Sequence, residues 1–300
     1  MDTTPSTAAD FDFAAYVARK KSGVAGERGE GYAYEGDLKL LRRMRSMRSV
    51  ELAVSQTVRL SKQVVTGQLL GTAVRVSKRQ FPRVQRITDE CAAALGIPAP
   101  TVYIVSNITQ INAMTYGVEG EAFVIVHAAT VDMLDDDELR FVIGHECGHI
   151  QNGHVVYLTT LRMLQYLVAQ SLGVLAPFLA PAMVALSAWY RAAEVTCDRA
   201  GLLCGRDLDA GTRAFAKLAI GSMTLFKELD VEVYLEQFDE MREGVGRVAE
   251  LTASHPYLTR RIKALRVFAE SPLYRGEPGG AAGPERDELE RRTEELIKVL

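Results

Sequence analysis

The sequence is short of cysteine. Cys91, Cys147, Cys197 and Cys204 are too few and too irregularly spaced for a disulfide framework, and no C-x-x-C occurs. A reducing, cytoplasmic setting is the expectation that follows. The sequence is also short of net charge: 35 Lys/Arg against 38 Asp/Glu leave −3, which is no global signature for nucleic acid. A basic start followed by an apolar run is missing, because Met1 to Asp10 is polar and acidic, so no secretory signal is read. There is no internal repeat and no long low-complexity run. What is present is 300 residues with 48% hydrophobic content, enough for a large core in one big domain or two small ones.

His145-Glu146-Cys147-Gly148-His149 is an H-E-x-x-H pattern within a stretch that reads as helix. Asp135 to Glu138 supplies a capping aspartate and acids suited to the positive end of the helix dipole. Leu139, Val142, Ile143 and Ile150 recur at helical spacing, and Asn152-Gly153 reads as the stop. Four residues apart, His145 and His149 share a face and can reach one metal ion. Glu146 lies about 100° round the helix, where it can reach a water on the metal without ligating the ion.

Around this helix the chain is uneven. In residues 1–36, Phe11, Phe13, Tyr16 and Val17 suggest a short docking helix, and Ser22 to Gly36 a loop. Residues 37–86 carry twelve Lys/Arg against two acids, a local balance of +10. They read as helix faces balanced by the acidic stretches 132–138 and 228–243, or as an amphipathic basic surface for an anionic membrane or acidic partner. A helix over 83–98 precedes strands at Thr101–Val105 and Ala122–Val126, with Asn112 to Gly117 as an edge strand or turn between them. Met163 to Tyr190 runs for twenty-eight residues without a charge. Gly173, Pro177 and Pro181 divide it, which favours a buried or substrate-lining helical hairpin over a span of the roughly 20 residues that a bilayer needs. Helix is expected over 190–204, most of 208–250 and 258–270. A Pro/Gly-rich linker then leads to a charged helix over 285–300.

Catalytic zinc takes three protein ligands and leaves one position for water. The pattern supplies two; His127, His154, Glu194 and His255 are the candidates for a third. His154 would have to fold back past Gly153, and His127 ends a strand where it could line a cleft. Glu194 shares a helix face with Asp198, which could accept the second N–H of a ligating imidazole, and this pair is the favoured choice.

Taken together, His145 to His149, Glu194-Val-Thr-Cys-Asp198, Asp198-Arg-Ala-Gly201, Ser254-His255-Pro256 with Arg261-Ile262, Asn112-Ala113 and Asp137-Glu138-Leu139 resemble the HtpX-like and CAAX-prenyl-protease-like zinc metallopeptidases of the gluzincin group. The resemblance runs from about Leu70 to Arg266. It implies one Zn²⁺ per chain on His145, His149 and Glu194, with Glu146 as general base, Asp198 supporting a ligand histidine and His255 in the cleft. Cys147 stands where the family usually has an aliphatic residue and reads as a small core residue. Membrane helices sit near 163–190 in some members, and this chain looks like a soluble-bodied branch.

The expected fold is therefore α+β and mostly α-helical, zincin-like, with a small β-sheet before the H-E-x-x-H helix. Its parts are a basic N-terminal helical segment (1–80), a metallopeptidase domain (81–270), and a linker with a C-terminal helix (271–300). The expected activity is endopeptidase cleavage of a polypeptide. Asn112, Ala113, Met114 and Arg261 would contact substrate, and His255 would hold the oxyanion ahead of Tyr257 or Arg261. No nucleic acid is expected; peripheral membrane contact through 37–86 or 163–190 stands as the less favoured alternative for those stretches. A non-catalytic zinc-stabilised scaffold or membrane-docking module is the alternative, and another zinc hydrolase a third reading.

Overall fold

A computed structural model describes residues 31–45, 47, 50, 54, 71–107, 110–117, 122–241, 257–276 and 284–297. The helix expected within residues 11–17, most of 46–70, and Ser254-His255-Pro256 lie outside the described residues. The described chain is mostly helical with one small mixed sheet.

The sheet comprises β1 (Ala73–Arg75), β2 (Thr101–Val105), β3 (Ala113–Tyr116) and β4 (Phe123–His127), in the order β1-β2-β4-β3. β2 runs parallel to β4, while β1 and β3 are antiparallel to their neighbours. Val102, Ile104, Val124 and Val126 face the core, where branched side chains fit a pleated surface. The segment around Asn112 to Gly117 therefore contains an edge strand.

The H-E-x-x-H helix, α4 (Asp136–Gln151), is buried on nearly every side. Before it come α1 (Glu35–Arg45), α2 (Pro82–Leu95) and the short α3 (Ala128–Met133). The expected capping box forms at the start of α4: the Asp135 carboxylate accepts from Asp137 and Glu138 N–H, and Glu138 accepts from Asp135 N–H. The helix stops at Asn152, and Gly153 takes the left-handed φ of 68° that favours glycine.

After α4 come α5 (Val155–Gln170) and α6 (Ala176–Gly205). The uncharged stretch is thus a hairpin turning at 171–175. Its break does not fall at Pro181, which lies inside α6, and Pro177 occupies the first turn, where a missing N–H costs little. The hairpin is not wholly buried, and at its base Arg162 and Tyr190 line the cleft described below. Its base packs through Leu158, Leu161, Leu186 and Trp189 against Leu41 and Met44 of α1. Its tip is bare: Leu172 is 94%, Phe178 80%, and Val174 and Val184 each 70% exposed. No described helix is long and apolar enough to cross a membrane.

The remaining helices close the other side: α7 (Leu208–Ile220), α8 (Met223–Phe226), α9 (Val231–Met241), α10 (Leu258–Ala269), α11 (Pro272–Arg275) and α12 (Pro284–Ile297). A short helix thus occupies part of the expected 271–284 linker. α12 packs on the body, with Glu290 on the buried Arg199 guanidinium at 2.6 Å and Arg292 on Glu270. The charges of the basic stretch are only partly balanced as expected. Arg83 and Arg86 both pair with Asp136, but Glu232 of the second acidic stretch is taken by Arg266 of α10.

Glycines let α4 and α6 touch. A Cβ at Gly148 would stand 2.7 Å from Ala200 Cβ, and one at Gly201 2.6 Å from the Phe141 carbonyl oxygen. Alanine in mid-helix gains about 1 kcal/mol over glycine, but overpacking costs about 1–3 kcal/mol. A backbone oxygen cannot swing aside, so the second effect wins at Gly201. Gly201→Ala is expected to lower the urea midpoint by the equivalent of about 1–2 kcal/mol net; a variant as stable as the parent would mean that the two helices have slack.

Candidate metal centre

Three elements build the centre. α4 presents His145, Glu146 and His149 from one side, and α6 presents Glu194 and Asp198 one turn apart from the other. α10 contributes Arg261 from behind. All six are buried, yet five of them, Asp198 excepted, line a cleft of about 310 Å³ together with Asn112, Ala113, Phe141, Arg162, Tyr190 and Phe215.

His145 Nε2 lies 3.7 Å and His149 Nε2 3.3 Å from Glu194 Oε1. That carboxylate oxygen is fully buried and has no hydrogen-bond partner, so these short approaches lack bonding alignment. A stranded buried oxygen is costly unless something else satisfies it. Three donor atoms within 4.8 Å of one another suit an ion. Tetrahedral zinc with bonds near 2.1 Å sets its ligand atoms roughly 3.4 Å apart. The donor set, two imidazoles and a carboxylate, also suits zinc.

Around the three atoms, polar partners fix each group. His145 Nδ1 lies 2.9 Å from Asp198 Oδ1, and a carboxylate there favours the tautomer that, in the neutral ring, leaves Nε2 with the lone pair. Arg261 donates Nη1 to Glu194 Oε2 at 2.8 Å, and Nε and Nη2 to Asp198 at 2.8 and 2.5 Å. Its fork holds both carboxylates of α6 while the side chain also lines the cleft. Glu146 Oε2 accepts a 2.6 Å hydrogen bond from the Thr115 hydroxyl of β3.

Charge in the centre is strongly coupled. Burial opposes the Glu194 carboxylate, but Arg261 and then His145 outweigh it and hold the acid well below its usual range. Burial likewise opposes charge on His145, and Glu194 and Asp198 overcome it, raising His145 to about 10. For His149, burial wins and the pKa falls to about 4. Without a metal, His145 is the imidazole that takes up an additional proton near neutral pH, and His149 stays neutral.

Of the other sequence candidates, Asn112 and Ala113 line the cleft and Met114 does not. His127 does not line it either: its Nδ1 lies 3.1 Å from the Gln110 carbonyl oxygen at the end of β4. His154 sits behind His149, with the two Nδ1 atoms 3.2 Å apart. His255 lies outside the described residues. Cys147 is a buried core residue whose thiol pKa is pushed up by burial. Three polar residues near the centre were missed by the sequence reading: Thr115, Arg162 and Asp37. Thr115 carried a signal, being a threonine within the segment already read as an edge strand. Asp37 carried only the oddity of an acid in a strongly basic run.

A model of peptidase family M48 matches residues 78–269. Plastoglobule-localized metallopeptidase 48, chloroplastic, of Arabidopsis thaliana is 33% identical over 226 residues, 72% of this chain and 65% of that protein. The chain thus spans just under two thirds of that relative's length. A protease HtpX homolog of Thermoanaerobacter pseudethanolicus is 27% identical over 227 residues, covering 65% of this chain and 74% of the relative. One from Methanothermobacter thermautotrophicus is 36% identical over 85 residues, 28% of this chain and 33% of that protein. No solved structure matches.

The two histidines make the metal-free chain sensitive to pH on both sides. His145, raised to about 10, stabilises fully below the unfolded value near 6.5, and that contribution is lost as pH climbs toward 10. His149, lowered to about 4, contributes stability above 6.5 that is lost as pH falls toward 4. Thermal melts of chelated protein should therefore peak near pH 6.5. His145→Phe should flatten the alkaline limb between pH 7 and 10; an unchanged limb would assign it to another group.

Proposed function

The chain belongs to peptidase family M48, and on that premise we propose that it is a zinc-dependent endopeptidase with one Zn²⁺ held by His145, His149 and Glu194. The observation that carries this reading is the partnerless Glu194 Oε1 facing two imidazole Nε2 atoms beside a glutamate that ligates nothing. A purely structural zinc site has no use for that glutamate.

When bound, zinc supplies Lewis acidity and brings the pKa of a ligated water to about 7. Glu146 is the general base. It takes the proton of the attacking water and returns it to the leaving amine. Its Oε2 is fixed by Thr115, so Oε1 is the atom we assign to proton transfer. Asp198 and Arg261 are positioning residues: Asp198 fixes the His145 tautomer, and Arg261 holds Glu194 and Asp198 ionised and in place. His255 remains our candidate for the oxyanion donor.

The substrate is an extended polypeptide that adds to the β3 edge. Asn112 C=O accepts from His127 N–H inside the sheet, so by ladder alternation the backbone groups of Ala113 and Thr115 point off the edge toward the cleft. Arg162 Nη1 already caps the Thr115 carbonyl at 2.6 Å, which leaves Ala113 as the main pairing residue. Apolar Phe141, Val142, Phe215 and Leu218 then line the cleft beyond it and suit a hydrophobic side chain.

The hairpin tip is the second part of the reading. We assign it to a lipid surface. Its exposed Leu172, Val174 and Phe178 lie in a stretch without charge, and Lys39, Arg42 and Arg43 are exposed on α1 beside α6, as an anionic interface would require. A relative whose name places it in plastoglobules agrees with such a location.

Casein cleavage with and without chelator tests the activity. Glu146→Gln should abolish hydrolysis while zinc stays near one per chain, and Glu194→Ala should lose the zinc. Cleavage surviving in Glu146→Gln would sink the mechanism. Ala113→Pro removes one outward N–H where proline is tolerated. It should cut kcat/KM several-fold, the worth of one hydrogen bond of about 1 kcal/mol, without lowering zinc content. For the tip, Leu172→Glu with Phe178→Glu should release the protein from anionic vesicles in co-sedimentation. Unchanged pelleting, or a shift from dimer to monomer without vesicles, would reassign the tip.

A further inference from the structure

Behind the metal centre, away from the cleft, lies a chain of buried polar groups to which the reaction above gives no role. His149 Nδ1 is 3.2 Å from His154 Nδ1. His154 Nε2 lies 3.1 Å from Asp37 Oδ2, a close approach without hydrogen-bond alignment, and no described residue satisfies it. Asp37 in turn accepts from Trp189 Nε1 at 2.8 Å and from the Thr196 hydroxyl at 2.7 Å. Thr196 Oγ1 accepts the Tyr34 N–H at 3.1 Å, tying the start of α1 to the same spot. His154 and Asp37 are fully buried, and no Lys or Arg of the described residues pairs with this carboxylate.

Tautomer logic makes these links interdependent. If His149 ligates through Nε2, its proton must sit on Nδ1. That N–H faces His154 Nδ1, which must then offer a lone pair, so the His154 proton sits on Nε2 and faces an acceptor. Asp37 is that acceptor: its carboxylate carries no proton to clash, and its remaining lone pairs are filled by Trp189 and Thr196.

We infer that His154 and Asp37 are positioning residues for the metal: Asp37 fixes the His154 tautomer, which fixes His149 with Nε2 toward the ion. The inference rests on His149 being a ligand. It also makes α1, which lies outside the 78–269 family match, part of the metal centre. The other candidate for these atoms is a second metal between His149, His154 and Cys197, whose Sγ stands 3.6 Å from His154 Nδ1. In that case His149 would have to bridge two ions.

Zinc affinity by chelator competition on the full chain decides, read beside zinc stoichiometry and the melting temperature of the chelated protein. His154→Asn keeps an acceptor near the Nδ1 position and should hold zinc within a few-fold of the parent. His154→Phe keeps the volume but no acceptor and should weaken zinc about 10–100-fold, the usual effect of losing a ligand's outer partner. Asp37→Asn places an N–H against His154, reverses its tautomer and should weaken zinc similarly. If Asp37→Asn fails to fold, the two His154 variants decide alone. Both His154 variants binding as the parent does, or both equally weak, would overturn the inference. So would two zinc ions per chain with the second lost in Cys197→Ala. His149→Ala retaining full zinc would instead overturn the ligand set itself.

Discussion

The near contact of α4 and α6 is the constraint on which the rest of the structure depends. A metal centre built from two helices requires their backbones to approach until side chains of two or three bonds can converge. Gly144, Gly148 and Gly201 leave no room for an added Cβ, and they alternate along the crossing with the proposed ligand positions. His145 and His149 lie next to the first two, and Glu194 and Asp198 lie about two turns and one turn before the third. The small-residue seam and the polar seam thus run side by side, and what sets the helix separation also sets the Nε2-to-Oε1 distances of 3.3–3.7 Å.

Burying so many charges would be ruinous without compensation, and each acid has its own answer. Glu194 and Asp198 share the Arg261 fork. Glu138, fully buried at the head of α4, is met by Lys217 and Arg213 from α7. Asp37 meets no Lys or Arg among the described residues, and the His154 imidazole first, then the Thr196 and Trp189 donors, hold it below its usual pKa against the cost of burial. The difference is functional. Permanent cations suit carboxylates that must stay ionised whatever occupies the cleft. An imidazole suits a carboxylate whose partner must carry its proton on one particular nitrogen.

Much of this was legible in the chain. Period and capping revealed α4 to within a residue, because Asp135, Glu138 and Gly153 are local signals with local causes. The E-x-x-x-D pairing of Glu194 and Asp198 was legible for the same reason: two residues one turn apart share a face wherever the helix goes. Arg261 was visible as a residue but not as a clamp, since its partners are more than sixty positions away and only the packing of α10 aims it. Asp37 and Thr115 were hidden more deeply. Nothing in a basic run or an edge strand states which distant imidazole or carboxylate it will meet. Pro181 misled in the opposite direction: proline disfavours a helix interior, but packing of α6 on α1 and α5 carries the helix through it.

The hairpin gains meaning from its place on the same helix as Glu194, the ligand proposed from α6. Phe178 near its tip and Glu194 in the metal centre are sixteen residues apart on α6, at most about 24 Å at 1.5 Å per residue. A tip seated in a lipid interface would hold the cleft no farther than that from the headgroups. The β3 edge would then meet chain segments that emerge from, or lie loosely on, the same surface. An edge that reads backbone shape more than side chains has little selectivity of its own. On the proposed function, confining the chain to a surface would restrict its substrates by location, which a cleft built around Ala113 and an apolar wall cannot do alone.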